Sequence, residues 1–326
     1  MNYLNEPIDS SDDVVRGTND DATISRQSAA ALQYLQDPFV LYFVKRPIRR
    51  SPIINRGTFI RNYALDSILR QFLSMPGPKK QIVSLGAGYD TRYFTLKAGI
   101  LGDTLADSLS CYFEIDFDEV TTKKAMIIKR QAELSKHLLD VKMERGGMDL
   151  KSQDYCLLGG DLRHWPEVSN RLIRAGFDSN APTLFLSECV FIYLSSQDSD
   201  TILQWITDHT ANTMFALYEQ IRPDDPFGKM MLKNLKGRNI DLKGIHAFPD
   251  LEHQRARFKG WQHAEAVDIN TVHDKCLSRE ELARITKLEM LDELEEWHML
   301  SAHYCIAWAY KTKDFEQQFS KVMLKQ

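Results

Sequence analysis

Ile82-Val83-Ser84-Leu85-Gly86-Ala87-Gly88-Tyr89-Asp90-Thr91 is a β-rich run that ends in a Gly-x-Gly turn and leads toward a helix. Glycine lets the backbone turn tightly and lets a ligand approach where a Cβ would otherwise stand. Alone, such a turn is weak evidence, because many merely join one element to the next. Its neighbours discriminate between ligands. A dinucleotide fingerprint carries a third glycine three residues after the second and an acid about 20 residues further on. Here position 91 is Thr, and Asp116, the acid ending the next apolar run, stands 30 residues after Gly86. Asp90 also puts negative charge where a pyrophosphate needs a helix N-terminus free of it. A nucleoside with a zwitterionic amino-acid tail fits this turn better.

Working outward, short apolar runs recur at 111–115, 155–158, 183–186 and 214–218, with helical spacing at about 119–139, 166–175 and 197–210. Such alternation predicts an α/β, Rossmann-like fold: a mostly parallel sheet with helices on both faces. Ligands of these sheets bind at the C-terminal ends of the strands. Phe113-Glu114-Ile115-Asp116 ends one run, and Asp116 at its tip can accept both hydroxyls of a ribose. A solvated acidic turn is the plainer reading. Gly160-Asp161-Leu162-Arg163 follows the third run, where Asp161 suits an adenine amino group or simply caps the next helix. Glu188 follows the buried-looking run 183–186, so it faces the site or sits in a core ion pair. Each signal is weak singly. In this order they describe a nucleoside-binding sheet edge.

On the N-terminal side, residues 1–20 are polar and acidic and are expected to be disordered. A helix is expected from Asp20-Asp21 to Leu35, closed by Asp37-Pro38, with a second helical stretch over 39–45. A basic segment with Lys45, Arg46, Arg49, Arg50, Arg56 and Arg61 is broken by Pro52 and Gly57; helical spacing then covers 58–73. Beyond residue 219 come a long insertion at about 220–262, a strand at 266–269, helices near 278–300 and a final strand at 304–310. These elements predict one domain over 21–312, lid elements at about 21–60 and 220–262, and an amphipathic or frayed tail at 313–326. The net charge of −4 offers no bulk attraction to nucleic acid or acidic membrane. No stretch approaches the roughly 20 apolar residues a membrane span needs. Five scattered cysteines without a Cys-x-x-Cys pair predict reduced thiols in a cytoplasmic or nuclear protein and no metal site; a monomer is expected.

The blocks Arg16-Gly17-Thr18, Ile54-Asn55-Arg56-Gly57, Leu85-Gly86-Ala87-Gly88-Tyr89-Asp90-Thr91, Gly160-Asp161-Leu162-Arg163, Glu188-Cys189-Val190-Phe191-Ile192-Tyr193 and Tyr218-Glu219-Gln220 recur in one order. In them the chain resembles the leucine carboxyl methyltransferase family, from about Arg16 to Thr312. The resemblance implies a class I methyltransferase fold with S-adenosylmethionine as cofactor. Its implied substrate is the C-terminal leucine of the protein phosphatase type 2A catalytic subunit, whose methyl ester regulates holoenzyme assembly. It further implies that Arg26 and Arg61 meet the cofactor's carboxylate, Gly86 its methionine portion, Asp116 the ribose, Asp161 and Leu162 the adenine, and Glu188 the amino group.

The implied chemistry is simple. A C-terminal carboxyl has a pKa of about 3.3–3.7, so the nucleophile is already an anion at neutral pH and needs no general base. Charge disappears in the transition state, so a site too generous to the anion slows the reaction. Few donors are expected on the substrate carboxylate, with Arg61 and Tyr193 the candidates. Arg61 alternatively serves a structural ion pair, and Tyr193 a core position. Segments 45–61 and 220–262 are expected to border the substrate mouth and to grip the folded phosphatase. The rival reading keeps the fold and changes the acceptor to transfer RNA or a small molecule. That transfer-RNA branch usually bears a propeller after this domain, and no blade-length repeats are present here.

Overall fold

β1 (Lys80–Leu85) is buried at every residue, as a central parallel strand covered on both faces must be. The computed structural model describes residues 10–324. Its remaining strands are β2 (Leu109–Asp116), β3 (Lys142–Glu144), β4 (Asp149–Lys151), β5 (Tyr155–Gly159), β6 (Thr183–Glu188), β7 (Thr213–Gln220), β8 (His263–Asp268) and β9 (Tyr304–Lys311). They form a nine-stranded sheet in the order β3-β4-β5-β2-β1-β6-β7-β9-β8. The five strands from β5 to β7 run parallel, while β9, β8, β4 and β3 are antiparallel to their neighbours. Alternate side chains feed two cores. Ile82, Leu184, Met214 and Trp308 lie in one, and Val83, Phe113, Phe185 and Phe215 in the other.

The N-terminal reading needs correction. Residues 1–9 lie outside the described residues, but residues 10–20 are helical, not disordered: α1 runs over Ser10–Ala31. Its polar composition concealed that its inner face is itself polar. Asp12 pairs with Arg163 at 2.6 Å, and Asn19 accepts the Tyr89 amide at 2.9 Å. The expected helix over 39–45 is only a 3-10 turn, Val40–Phe43.

The next helix, α2, begins at Pro52 and runs to Ser74, a turn and a half earlier than the 58–73 spacing suggests. Proline at the first helical position lacks only an N–H that would be unpaired there anyway. Gly57 does not break α2 either, because it packs toward Trp297 inside the helix.

The three-residue strands β3 and β4 were too short and too polar to show a period of two. The insertion after β7 contains two helices, Pro226–Gly237 and Leu251–Ala256. The tail is amphipathic and docked: Phe319, Val322 and Leu324 are buried, with Phe319 edge-on to Phe72 of α2.

Candidate active site

The tips of β1, β2, β5, β6 and β7 open into one cavity of about 770 Å³. That is within the size range of pockets for ligands of a few hundred daltons. Arg26, Arg61, Gly86, Asp116, Asp161, Leu162, Glu188 and Tyr193 all line it. Residues spread over most of the sequence are thus brought together by the parallel sheet.

Gly86 (φ +59°) and Gly88 (φ +50°) both lie in the left-handed region that favours glycine. A Cβ on Gly86 would meet the Val190 side chain at 2.5 Å, and one on Gly88 would meet the Asn19 amide oxygen. The turn is therefore pinned between α1 and the loop after β6. Asp116 fixes it from below, accepting the Gly88 amide at 2.6 Å and the Phe117 amide at 2.7 Å. Burial raises the Asp116 carboxyl, and those two amides oppose the rise. Each oxygen takes one amide and keeps lone-pair capacity for a ligand hydroxyl.

Asp161 accepts the Arg163 amide at 2.9 Å and so caps the 3-10 turn Leu162–His164, not the helix that follows, Trp165–Arg174, which starts without a side-chain cap. The Arg163 guanidinium grips the same carboxylate and reaches Asp12 of α1. Burial alone would raise Asp161, but Arg163 outweighs it and the carboxyl ends lower than usual. Capping and cavity lining coexist in this residue.

Glu188 stands between two arginines. Arg61 donates to one oxygen through Nε, and Arg92 to the other at 2.7 Å. Burial pushes the Glu188 carboxyl up, but the two guanidinium groups hold it far below the ordinary range. Arg61 is thus in an ion pair and on the cavity wall at once, with its guanidinium 4.7 Å from the centre of the Tyr218 ring. Tyr218 stacks on Tyr304 at 5.2 Å, and Tyr193 completes this aromatic wall. Arg26 is held by Asp37 at 2.5 Å and by Asn62.

Arg92 was missed in the sequence although it directly follows the quoted turn. It is 1% exposed and bonds Asp66 at 2.6 Å, Asp90 at 2.9 Å, Glu188 at 2.7 Å and Asn62 at 3.2 Å. Two of those partners, Asn62 and Asp66, stand four residues apart on α2 and so share one helical stripe, beside Arg61. Lys124 was also missed. Its ammonium is fully buried, donates to the Asp90 carbonyl at 2.7 Å and pairs with Glu114 at 2.5 Å.

Burial pushes the Glu114 carboxyl up to about 7 against Lys124, and Glu219 near the end of β7 likewise to about 7. Between the ordinary 4.5 and about 7, the folded chain therefore keeps protons that the unfolded chain has lost. Raising the pH through that window removes stability. The expected result is a urea midpoint that falls across it, with a shallower fall in Glu114→Gln. A slope unchanged by the substitution would assign the effect elsewhere.

The donor set identifies the ligand class. A phosphate cradle would present free amides and cations. Here the turn's Gly88 amide is taken by Asp116, and carboxylates occupy the tips of β2, β5 and β6. That arrangement suits ribose hydroxyls, an adenine amine and an ammonium group. A sheet of this order with such a cavity is that of a class I methyltransferase, and S-adenosylmethionine is its cofactor. Solved structures agree on the fold. A protein from Thermobifida fusca described as a methyltransferase superposes with a TM-score of 0.53 at 13% identity, covering 79% of this chain and 83% of its own. The geranyl diphosphate C-methyltransferase of Streptomyces coelicolor gives 0.50 at 10% identity, covering 95% and 100%.

The chain belongs to the leucine carboxyl methyltransferase family, whose sequence profile matches residues 15–207. The leucine carboxyl methyltransferase 1 homolog of Arabidopsis thaliana is 42% identical over 90% of this chain and 88% of its own length. Leucine carboxyl methyltransferase 1 of Bos taurus is 38% identical over 94% and 92%. The human tRNA wybutosine-synthesizing protein 4 is 40% identical over 90% of this chain, but the match spans only 43% of that protein.

Proposed function

We propose that this methyltransferase esterifies the α-carboxylate of the C-terminal leucine of the protein phosphatase type 2A catalytic subunit. The carrying observation is the electrostatic state of the aromatic wall. Arg61, the cation nearest Tyr218, is already neutralised by Glu188. Tyr193, Tyr218 and Tyr304 then offer a carboxylate neutral hydroxyls, and burial raises the pKa of all three, so they remain protonated donors. Neutral donors orient an anion without stabilising it so strongly that its attack is slowed. Trp297, Leu300 and Ile269 add an apolar lining suited to a leucine side chain. The identity to two leucine carboxyl methyltransferase 1 relatives supports a leucine carboxylate as the acceptor.

When bound, S-adenosylmethionine supplies an electrophilic methyl group on a sulfonium that carries its own leaving group. Asp116 would hold the ribose, Asp161 and the Leu162 amide the adenine, and Gly86 the methionine portion. Glu188 would hold the amino group, and Arg26 with Arg61 the carboxylate end. Arg61 and Tyr193 then border the incoming chain end, and the protein's task is to desolvate that carboxylate and aim its oxygen.

Tyr193→Phe removes one neutral donor, and Arg61→Ala removes the cation that orients Glu188. Each is expected to lower methyl transfer about tenfold or more, the scale of one hydrogen bond of about 1.4 kcal/mol. Melting temperature should change little in comparison; parallel losses of activity and stability would instead mark both as core residues.

The acceptor itself is tested with labelled cofactor and intact phosphatase, repeated on phosphatase lacking its terminal leucine. Label must vanish with the deletion. The human tRNA wybutosine-synthesizing protein 4 motivates a second arm with transfer RNA, and label there would move the assignment to that acceptor. All five cysteines are free thiols, and we place the protein in the cytoplasm, with a nuclear pool permitted.

A further inference from the structure

The loop after β6 is gripped from beneath by charges that do not line the cavity. Glu219 on β7 is fully buried, and its carboxylate accepts the Val190 amide at 3.2 Å and faces the amides of Phe191 and Ile192. These amides open the 3-10 turn Phe191–Tyr193, where unpaired N–H groups collect partial positive charge. Arg257 follows the helix Leu251–Ala256 and is 7% exposed. Its guanidinium lies 3.8 Å from the centre of the Phe248 ring and 5.7 Å from that of Phe191. The other Glu219 oxygen, Oε2, and all three Arg257 guanidinium nitrogens have no hydrogen-bond partner among the described residues. A buried carboxylate and a buried guanidinium with open bonding capacity are costly for stability alone. Their place under this turn suggests another use.

We propose that Glu219 and Arg257 are a buried pair of positioning residues that set the 188–193 turn, and through it both walls of the active site. Three links carry the argument. Glu219 holds the Val190 amide, and the Val190 side chain packs directly on Gly86, so the carboxylate fixes the floor of the cofactor turn. The same amide cradle orients Tyr193 at the other end of the turn. Cys189, directly before Val190, sits at φ +56°, a strained conformation for a side-chain-bearing residue, so the turn needs an external hold to keep its shape. Arg257 packs against Phe191 of the same turn, and its charge opposes the burial of the Glu219 carboxyl from a distance, with no direct ion pair between the two. The aiming of Tyr193 matters only if it borders the acceptor, and to that extent the inference rests on the proposed reaction.

Three variants separate positioning from plain stability. Glu219→Asp keeps the charge for Arg257 but withdraws it from the amides by one methylene. Glu219→Gln removes the carboxylate's charge and, because burial already disfavours that charge, is expected to leave the melting temperature near the parent's. The double variant Glu219→Gln/Arg257→Met removes both charges and leaves no guanidinium buried without a counter-charge. Cofactor affinity is read by calorimetry without any acceptor, and kcat and KM by methyl transfer. Positioning predicts at least fivefold weaker cofactor binding and at least tenfold lower kcat in Glu219→Asp and in the double variant, despite near-parental melting. Cofactor affinity and kcat within twofold of the parent in those two variants would overturn the proposal. Because the affinity arm uses no acceptor, it stands or falls separately from the identity of the substrate; a parent protein inactive on the phosphatase would sink only that reading.

Discussion

Asp116→Ala is expected to bind S-adenosylmethionine at least about 100-fold more weakly than the parent protein, with a smaller loss of stability. The carboxylate works in two directions. Inward, it accepts the amides of Gly88 and Phe117 at 2.6 and 2.7 Å, and so gives the glycine turn its shape. Outward, its remaining lone pairs face the cavity where a ribose would lie. Hydrogen bonds to a charged group are worth about 1.5–3 kcal/mol each, so two of them correspond to about 100-fold or more. Asp116→Asn should fall between, since its oxygen can keep one amide while its NH₂ opposes the other. Asp161→Ala should cost less, about tenfold, because Arg163 already occupies much of that carboxylate. Calorimetric titration checks the ranking. An Asp116→Ala protein that binds within threefold of the parent would remove the ribose assignment.

Arg92→Leu is expected to give the largest loss of stability of any single change at the site, about 3–5 kcal/mol, as for breaking a buried ion pair. One guanidinium there serves Asp66, Asp90 and Glu188, and it is 1% exposed. Leucine matches its hydrophobic bulk but leaves Asp66 without a cation and Asp90 and Glu188 with only Arg26 and Arg61 as counter-charges. The loss is a large part of the 5–15 kcal/mol that typically holds a domain folded. For a chain of this length it corresponds to roughly 4–8 °C in melting temperature. The sign of the pH dependence is distinctive. Without Arg92 the carboxylates titrate at higher pH, so acidification neutralises them and the penalty should shrink toward pH 5 (about the top of the carboxylate range). A penalty independent of pH would mean that packing volume, not charge, is what Arg92 supplies. Arg92→Lys should not rescue, because an ammonium cannot bridge three acids with a planar fork.

Much of this site was legible because its chemistry is written at strand ends. The runs over 81–85, 111–115, 155–158 and 183–186 coincide with β1, β2, β5 and β6, and a parallel sheet has to deliver their following residues to one edge. Gly86, Asp116, Asp161 and Glu188 could therefore be named from spacing. Residues 10–20 resisted for the opposite reason. Asp12, Arg16 and Asn19 are polar because the surface they cover is polar, and no hydrophobic period announces a helix of that kind. Pro52 likewise reads as a breaker until its position in the first turn of α2 is known. Alternatives posed for single residues turned out not to exclude each other: Asp161 both caps a 3-10 turn and lines the cavity, and Arg61 is both ion-paired and on its wall.

The amino-acid sequence by itself determined the parallel sheet, the glycine turn and the order of acids along its edge, because these follow from local periodicity and from where a strand must stop. Only the tertiary structure decided which charges face each other. Arg61 and Arg92 meet Glu188 from 127 and 96 residues away, and Glu219 meets the amides of a loop 29 residues earlier. Pairings of that range depend on how helices settle on the sheet, and the energy of a buried charge is set by what surrounds it rather than by its neighbours along the chain.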